Sequence, residues 1–269
     1  MIVVLSGEGP SDVGKRGEYD PVTGDFKWIE GAIPVIIRRL LKEELGVKDV
    51  RFKLYCDKEL IRETRENKHS KGQRRRFSEK RSFPYEDDTI RITGHADAAR
   101  TLVRRAAADG INYDLIGVYK DSDKAAGTKK NFHNALKKYE EVVDQIKSGF
   151  ISELSADADN YFAVVPIRIL ENWLISDPKA IEAVNEKGKV SITDYPKPED
   201  KWGDEVPGSD HPKILLEKEL SKCHFKKSDK NEKFLIIAEN MDFEVVRKKC
   251  YSFSEFCNAL SVSYYSLEQ

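Results

Sequence analysis

Two short acidic segments carry the residues whose types and spacing could do chemistry. Glu8 lies in Leu5-Ser6-Gly7-Glu8-Gly9-Pro10-Ser11-Asp12, directly after the apolar run Ile2 to Leu5. Asp121-Ser122-Asp123 follows the apolar run Leu115-Ile116-Gly117-Val118-Tyr119. If both runs are strands of one parallel sheet, their carboxyl ends share an edge, and that edge is where the ligand crevice of such sheets lies. Three carboxylates brought together there repel one another unless a cation neutralises them. Hard oxygen donors favour Mg²⁺ or Mn²⁺, which keep several waters and bind phosphate. Each segment also has a plain reading. Glu8 serves as a turn residue between glycines, and Asp121 and Asp123 form a turn or cap ahead of the next helix. It is the placement of both segments at strand ends that favours chemistry.

The elements that must position these residues alternate along the first two thirds of the chain. Ile2–Leu5 reads as a buried strand closed by Gly7 and Gly9, with a polar loop from Ser11 to about Lys27. Ile33–Leu45 reads as a helix with Pro34 near its start and Gly46 at its end. Val50–Tyr55 is a second strand, Thr89–Thr93 a short one, Ala96–Ala108 a helix, and Asp114–Tyr119 a further strand. Lys129–Ile146 places Phe132, Leu136, Tyr139, Val143 and Ile146 on one helical stripe. Tyr161–Ile167 reads as a strand and Leu170–Ser176 as a helical piece. Asp177-Pro178 offers an N-cap and N1 proline for another. This alternation predicts an α/β fold, a largely parallel sheet with helices on both faces. After a proline-marked polar stretch at about 187–212, helices are expected at 212–220, 230–239 and 252–260. We read residues 1–178 as the α/β domain, with a basic insert at about 61–88, and 179–269 as a helical extension packed on it.

Composition bounds the answer. The chain has 269 residues with 46 Lys+Arg against 47 Asp+Glu, a formal charge of −1. At 39% hydrophobic residues it can build a core, which excludes a wholly disordered chain. No apolar run approaches the roughly 20 residues that span a bilayer. Met1–Gly7 reads as a strand and not as a signal peptide. Cys56, Cys223, Cys250 and Cys257 form no zinc pattern, and idle thiols suit a reducing cytoplasm. No HxxxH or HExxH and no phosphate-binding glycine loop is present.

The strand–Glu–Gly motif at Glu8 and the later Asp-x-Asp at Asp121 and Asp123 resemble the Toprim fold of topoisomerases, bacterial primases and related nucleases. Three further stretches resemble a bacterial Toprim-like branch often encoded beside ATPases in defence loci. They are Ile169 to Pro178 around Glu171-Asn172-Trp173, His211 to Leu216, and Ile237-Ala238-Glu239 leading into Cys250 to Phe256. The resemblance implies a metal-dependent nuclease, with Glu8 as general acid or base or metal ligand and Asp121 and Asp123 binding Mg²⁺ or Mn²⁺. Glu171, following the Tyr161–Ile167 strand, would be a further ligand at the same edge. Such sites polarise a phosphate oxygen and activate water. An ATPase partner is also implied. Lys124-Ala125-Ala126 stands where related sequences often hold another acidic residue, which puts a second metal in question. Glu171 has an alternative as a cap or as a partner of Arg168, with Trp173, Leu170 and Leu174 on a packed face. Asp12 reads as a local cap and Lys120 as a solvated residue or a phosphate contact.

A second signal is the stretch containing Arg62, Arg65, Lys68, Lys71, Arg74, Arg75, Arg76, Lys80 and Arg81. Nine basic residues against Glu63, Glu66 and Glu79 make a local +6 in a chain of net −1. That is the electrostatic footprint of a polyanion partner, with nucleic acid favoured, and Phe77, Phe83 and Tyr85 are suited to stacking on bases or to anchoring the loop to the core. A solvated loop is the alternative. Two other functions compete: a catalytically silent Toprim-like module that binds nucleic acid or an ATPase, and a haloacid-dehalogenase-type phosphatase, which would leave Glu8 without a role.

Overall fold

The computed structural model describes residues 1–9, 11–20, 25–56, 94–122, 131–154, 158–225 and 230–268, with backbone only at 15–16, 19–20 and 25–26. The elements are β1 (Ile2–Gly7), β2 (Gly14–Asp20), β3 (Asp25–Glu30), α1 (Ala32–Glu43), β4 (Arg51–Cys56), α2 (Gly94–Ala108), β5 (Leu115–Tyr119), α3 (Phe132–Ile151) and β6 (Tyr161–Val164). They continue with α4 (Glu171–Leu174), α5 (Pro178–Glu182), α6 (Pro212–Ser221), α7 (Lys230–Asn240), α8 (Phe243–Lys249) and α9 (Tyr251–Tyr265).

Four strands form one parallel sheet in the order β4-β1-β5-β6. The apolar runs make this the favourable arrangement, because strands buried on both faces need no polar alternation. Val3 and Leu5 of β1 face one cluster, which continues through Ile33, Ile37 and Leu40 of α1 and on to Trp173, Phe234, Phe253 and Leu260. Val4 faces the other, with Leu102 and Ala106 of α2 and Val142, Ile146 and Phe150 of α3. Helices therefore cover both faces, and the C-terminal helices share one apolar cluster with the sheet. Gly117 is required in β5: a Cβ there would stand 2.5 Å from the Phe162 ring of the paired strand.

The chain crosses from β1 to β4 on one side, then returns past β1 to β5 on the other. β1 and β5 thus flank the point where the order reverses, and their carboxyl ends open onto the crevice expected of such a sheet. Both acidic segments begin there.

Several expectations need correcting. The stretch expected as a polar loop at 11–27 contains the antiparallel hairpin β2–β3, with Gly14 paired to Glu30. Its polar residues gave no apolar alternation, and among its described side chains Trp28 packs against the main cluster. Helix α8 was not foreseen, although Asp242 caps it by accepting from the Glu244 and Val245 N–H groups. The Thr89–Thr93 strand, the basic insert with Phe77, Phe83 and Tyr85, and Lys129 lie outside the described residues. No helix among the described residues is long and apolar enough to cross a membrane.

Candidate active site

Four carboxylates gather at this edge: Glu8 after β1, Asp12 in the following turn, Asp121 after β5 and Glu171 at the start of α4. Each is held by a different local device. The turn 9–13 closes through Asp12 and Val13 N–H donors to the Gly9 carbonyl, at 3.2 and 3.1 Å. The carbonyls of Ser11 and Asp12 then accept from Ala32 N–H and Ile33 N–H at 3.1 and 2.8 Å. Backbone carbonyls thus satisfy the first orphan donors of α1, and Asp12 keeps its side chain for the site. Gly31 permits this approach, since a Cβ there would lie 2.5 Å from the Asp12 backbone.

Asp121 is fixed by two contacts around it. Buried Tyr119 donates its hydroxyl to Asp121 Oδ1 at 2.5 Å. The next residue, Ser122, donates to the Pro166 carbonyl at 3.0 Å and accepts from Arg168 N–H at 2.8 Å. That pair ties the turn after β5 to the segment leading into Glu171. Arg168 adopts φ 73°, a left-handed conformation that costs a non-glycine residue free energy. Its guanidinium does not pair with Glu171, as the sequence suggested, but donates to the Glu199 carbonyl at 3.3 Å and stacks 5.1 Å from the Trp202 ring.

Glu171-Asn172-Trp173 divides its work. Trp173 is fully buried in the core. Asn172 Nδ2 donates to the Pro198 carbonyl, fastening the 198–201 segment. Glu171, also buried, meets Lys230 Nζ of α7 at 3.7 Å. Across the site, Lys120 Nζ stands 3.8 Å from Glu8 Oε1 and is almost buried, so it is not the solvated residue the sequence allowed.

The charges of Glu8 and Glu171 are felt by Asp12 and Asp121. Burial pushes the Asp12 carboxyl up to about 6, and the negative charges of Glu171 and Glu8 push the same way. Burial likewise raises Asp121 well above the usual carboxylate range, with Asp12, Glu171 and Glu8 adding to it and the Tyr119 hydrogen bond opposing. Glu171 is raised by burial, while Lys230 and Lys213 hold it down. The donors are all hard oxygens and their mutual repulsion is what a divalent cation relieves, so the set suits Mg²⁺ or Mn²⁺ in kind. Among the described residues, however, no three carboxylate, histidine or cysteine side chains stand close enough to enclose an ion. Asp123 and the basic residues Arg62 to Arg81 lie outside the described residues.

Sequence reasoning under-read Asp12, because backbone capping of α1 leaves no side-chain signature. It missed Lys230, which reaches Glu171 from a helix distant in sequence.

A pH dependence follows from these shifts. Asp12 at about 6 and Glu199 at about 7 both bind protons more tightly folded than unfolded. Their contribution to stability is complete below about pH 4 and is lost as pH rises through 6 to 7. Thermal midpoints measured from pH 4.5 to 8 will fall, and Asp12→Asn will flatten the lower half of that fall. For Asp12 the change is on the order of 2–3 kcal/mol at most, since each pKa unit is worth about 1.4 kcal/mol.

No curated protein and no solved structure matches the chain. A family model does match, that of a domain of unknown function, DUF4276, over residues 32–261. The matched region begins after Glu8 and Asp12 and contains Asp121 and Glu171. A match over so much of the chain means that this protein belongs to the DUF4276 family.

Proposed function

We propose that the protein is a Toprim-type, metal-dependent nuclease that hydrolyses phosphodiester bonds of DNA or RNA in the cytoplasm, in a defence or mobile-element setting with an ATPase partner. The observation that carries the hydrolytic reading is the approach of Glu8, Asp12, Asp121 and Glu171 at the carboxyl ends of β1 and β5, where the charges of Glu8 and Glu171 raise the proton affinity of Asp12 and Asp121. The strand–Glu–Gly and Asp-x-Asp motifs supply the family resemblance.

In this reading Glu8, Asp121, Asp123 and Glu171 would hold Mg²⁺ or Mn²⁺, which would supply Lewis-acid polarisation of phosphate and a lowered pKa for bound water. The chain's own groups do the rest. Asp12, with its carboxyl titrating near 6, exchanges a proton with the attacking water or leaving oxygen in the neutral range. Lys120 and Lys230, each within 4 Å of a site carboxylate, face the same crevice and favour the phosphate's negative charge. The Tyr119 hydroxyl and the Ser122 bridge keep Asp121 in place. The basic segment from Arg62 to Arg81 supplies affinity for the nucleic-acid backbone that does not depend on sequence.

One observation favours the silent-module reading: the ammonium groups of Lys120 and Lys230 already balance Glu8 and Glu171. The two readings separate in one set of measurements. Supercoiled plasmid, linear duplex and RNA are incubated with Mg²⁺ or Mn²⁺ and wild type or the Glu8→Ala, Asp121→Ala and Asp123→Ala variants. Cleavage by wild type and its loss in all three is expected; identical behaviour of the four proteins sinks the hydrolytic reading. Calorimetry with Mn²⁺ alone should show binding with proton release, because deprotonated carboxylates are the ligands. Absence of binding would favour the silent module.

A further inference from the structure

The 198–201 segment is fastened to both flanks of Glu171. The Pro198 carbonyl accepts from Asn172 Nδ2, the Lys201 carbonyl stands 3.5 Å from the same nitrogen, and the Glu199 carbonyl accepts from Arg168 Nε at 3.3 Å. The Glu199 side chain is buried and reaches the start of α9. One of its oxygens accepts from Tyr251 N–H at 2.8 Å, and the other from Ser252 N–H at 3.1 Å and from the Ser252 hydroxyl. Ser252 Oγ passes the hold back toward α4, accepting from Ile167 N–H at 3.0 Å and from Trp173 Nε1–H at 2.8 Å. Residues 167, 168, 172 and 173 are thus all tied to Glu199 or to the backbone beside it. The turn they hold is strained, since Arg168 keeps its φ of 73°, a conformation that persists only where the surroundings over-determine it.

Hydrogen-bond accounting gives this arrangement two states. The Glu199 carboxylate meets donors only, and both Ser252 lone pairs are taken, so the network is complete when Glu199 is ionised. A proton on the carboxyl adds a donor where these partners offer no acceptor, and one bond must open to make room. Burial favours that proton and pushes Glu199 up to about 7, while hydrogen bonds from Ser252, Tyr251 and Trp173 hold it down. Of the groups around it, Arg168 is lowered by burial only to about 10 and stays cationic at neutral pH. Tyr139 of α3 and Cys250 and Tyr251 of α9 stay neutral there, raised by burial with the Glu199 charge adding to it. Glu140 of α3, Glu255 of α9 and Asp200 add charges nearby, while Lys201 turns to Asp210 and Lys249 to Asp194. His211 packs on the Trp202 ring and histidines titrate in the same range, so comparison with Glu199→Gln is what assigns the titration. We infer that Glu199 is a positioning residue for Glu171 and a proton-controlled latch: ionised, it closes the network around the turn, and protonated, it opens one bond and lets the turn move. The latch stands on the hydrogen-bond network, and its effect on cleavage rests on the phosphodiesterase reading.

The test is NMR of the full chain between pH 5.5 and 8.5. It reads the Trp173 indole N–H, assigned from its loss in Trp173→Phe, and the Glu171 backbone amide. Wild type, Asp12→Asn and Glu199→Gln are compared, glutamine standing for the neutral side chain at every pH. Both resonances should titrate with a midpoint near 7 in wild type and Asp12→Asn, and neither should in Glu199→Gln. A wild-type Trp173 resonance that stays fixed overturns the latch, and a Glu171 amide that ignores the Trp173 titration overturns the positioning role. Both of those readings need only wild type. A titration that survives in Glu199→Gln overturns the assignment to Glu199. The second readout is plasmid cleavage with Mn²⁺ at pH 6 and pH 8. The ratio of wild-type to Glu199→Gln rates should be near one at pH 6 and about tenfold at pH 8, within what misplacement of a reacting group can cost. A glutamate with only a structural role would give the same ratio at both pH values, and that result too overturns the positioning role. Titration of both resonances in a protein that cleaves no substrate upholds the latch and removes the hydrolytic reading alone.

Discussion

Asp121→Asn is expected to abolish the proposed nuclease activity while making the protein more stable at pH 8. The two effects have one origin. Asp121 loses hydration at the sheet edge and feels Asp12, Glu171 and Glu8, so its ionised form is costly in the fold. The raised proton affinity means that the folded state is favoured when Asp121 is protonated and loses that advantage as pH rises. Asparagine is neutral at every pH and still offers an oxygen to the Tyr119 hydroxyl. Each kcal/mol of such relief raises the midpoint by roughly 2–4 °C in a chain of this size. The gain should vanish near pH 4, where the wild-type carboxyl is protonated too. On the proposed function activity moves the other way, because there the same charge would hold a cation and orient the phosphate. Removing one such electrostatic group typically costs about 10²–10³ in rate. Paired melting curves at pH 4 and pH 8, with plasmid cleavage at pH 8, decide the matter. Retained cleavage would take Asp121 out of the site. A lower midpoint at pH 8 would mean that its charge is stabilised by something other than these neighbours.

That pairing of strain and function explains which parts of the site could be read in the residues. The strands were visible because β1 and β5 are continuous apolar runs, and Glu8 and Asp121 sit where those runs end. Their adjacency was not visible. It depends on the order β4-β1-β5-β6, which no local pattern encodes. The helical cap was legible at Asp177-Pro178, where the Asp177 side chain accepts from Lys179 N–H as a Ser/Asp-type cap should. Where capping passes to the backbone or to a distant residue the signal disappears. Asp12 looked like a cap, yet its carbonyl does the capping and its carboxylate joins the site. The N-terminus of α9 has no side-chain cap from Cys250. Glu199, far away in sequence, accepts from Tyr251 N–H and Ser252 N–H instead. Lys213 of α6 and Lys230 of α7 were legible as helix residues but not as charges acting on Glu171, since their meeting with it is purely tertiary.

The same tertiary dependence makes Trp173→Ala the most destabilising single change expected in this fold. The indole is fully buried, stacked 5.8 Å from Phe256 and edge-on 5.1 Å from Phe253. Its Nε1–H donates to Ser252 Oγ at 2.8 Å, and that same oxygen accepts from Ile167 N–H and donates to Glu199. One side chain thus joins α4, the end of the β6 segment and the start of α9. Truncation of a buried Trp to Ala costs about 3–5 kcal/mol through lost burial and the cavity left behind, or roughly 10 °C in midpoint. Trp173→Phe keeps most of the ring packing and gives up the indole hydrogen bond, worth about 1 kcal/mol. Chemical denaturation of the two variants should therefore differ by about 2 kcal/mol or more. Because Trp173 lies two residues from Glu171 in a single-turn helix, Trp173→Ala should also lower the proposed nuclease activity at temperatures where the protein remains folded, whereas Trp173→Phe should not. Equal stabilities for the two variants would show that α4 is held from elsewhere. Full activity in a folded Trp173→Ala protein would show that Glu171 does not rely on the core beneath it.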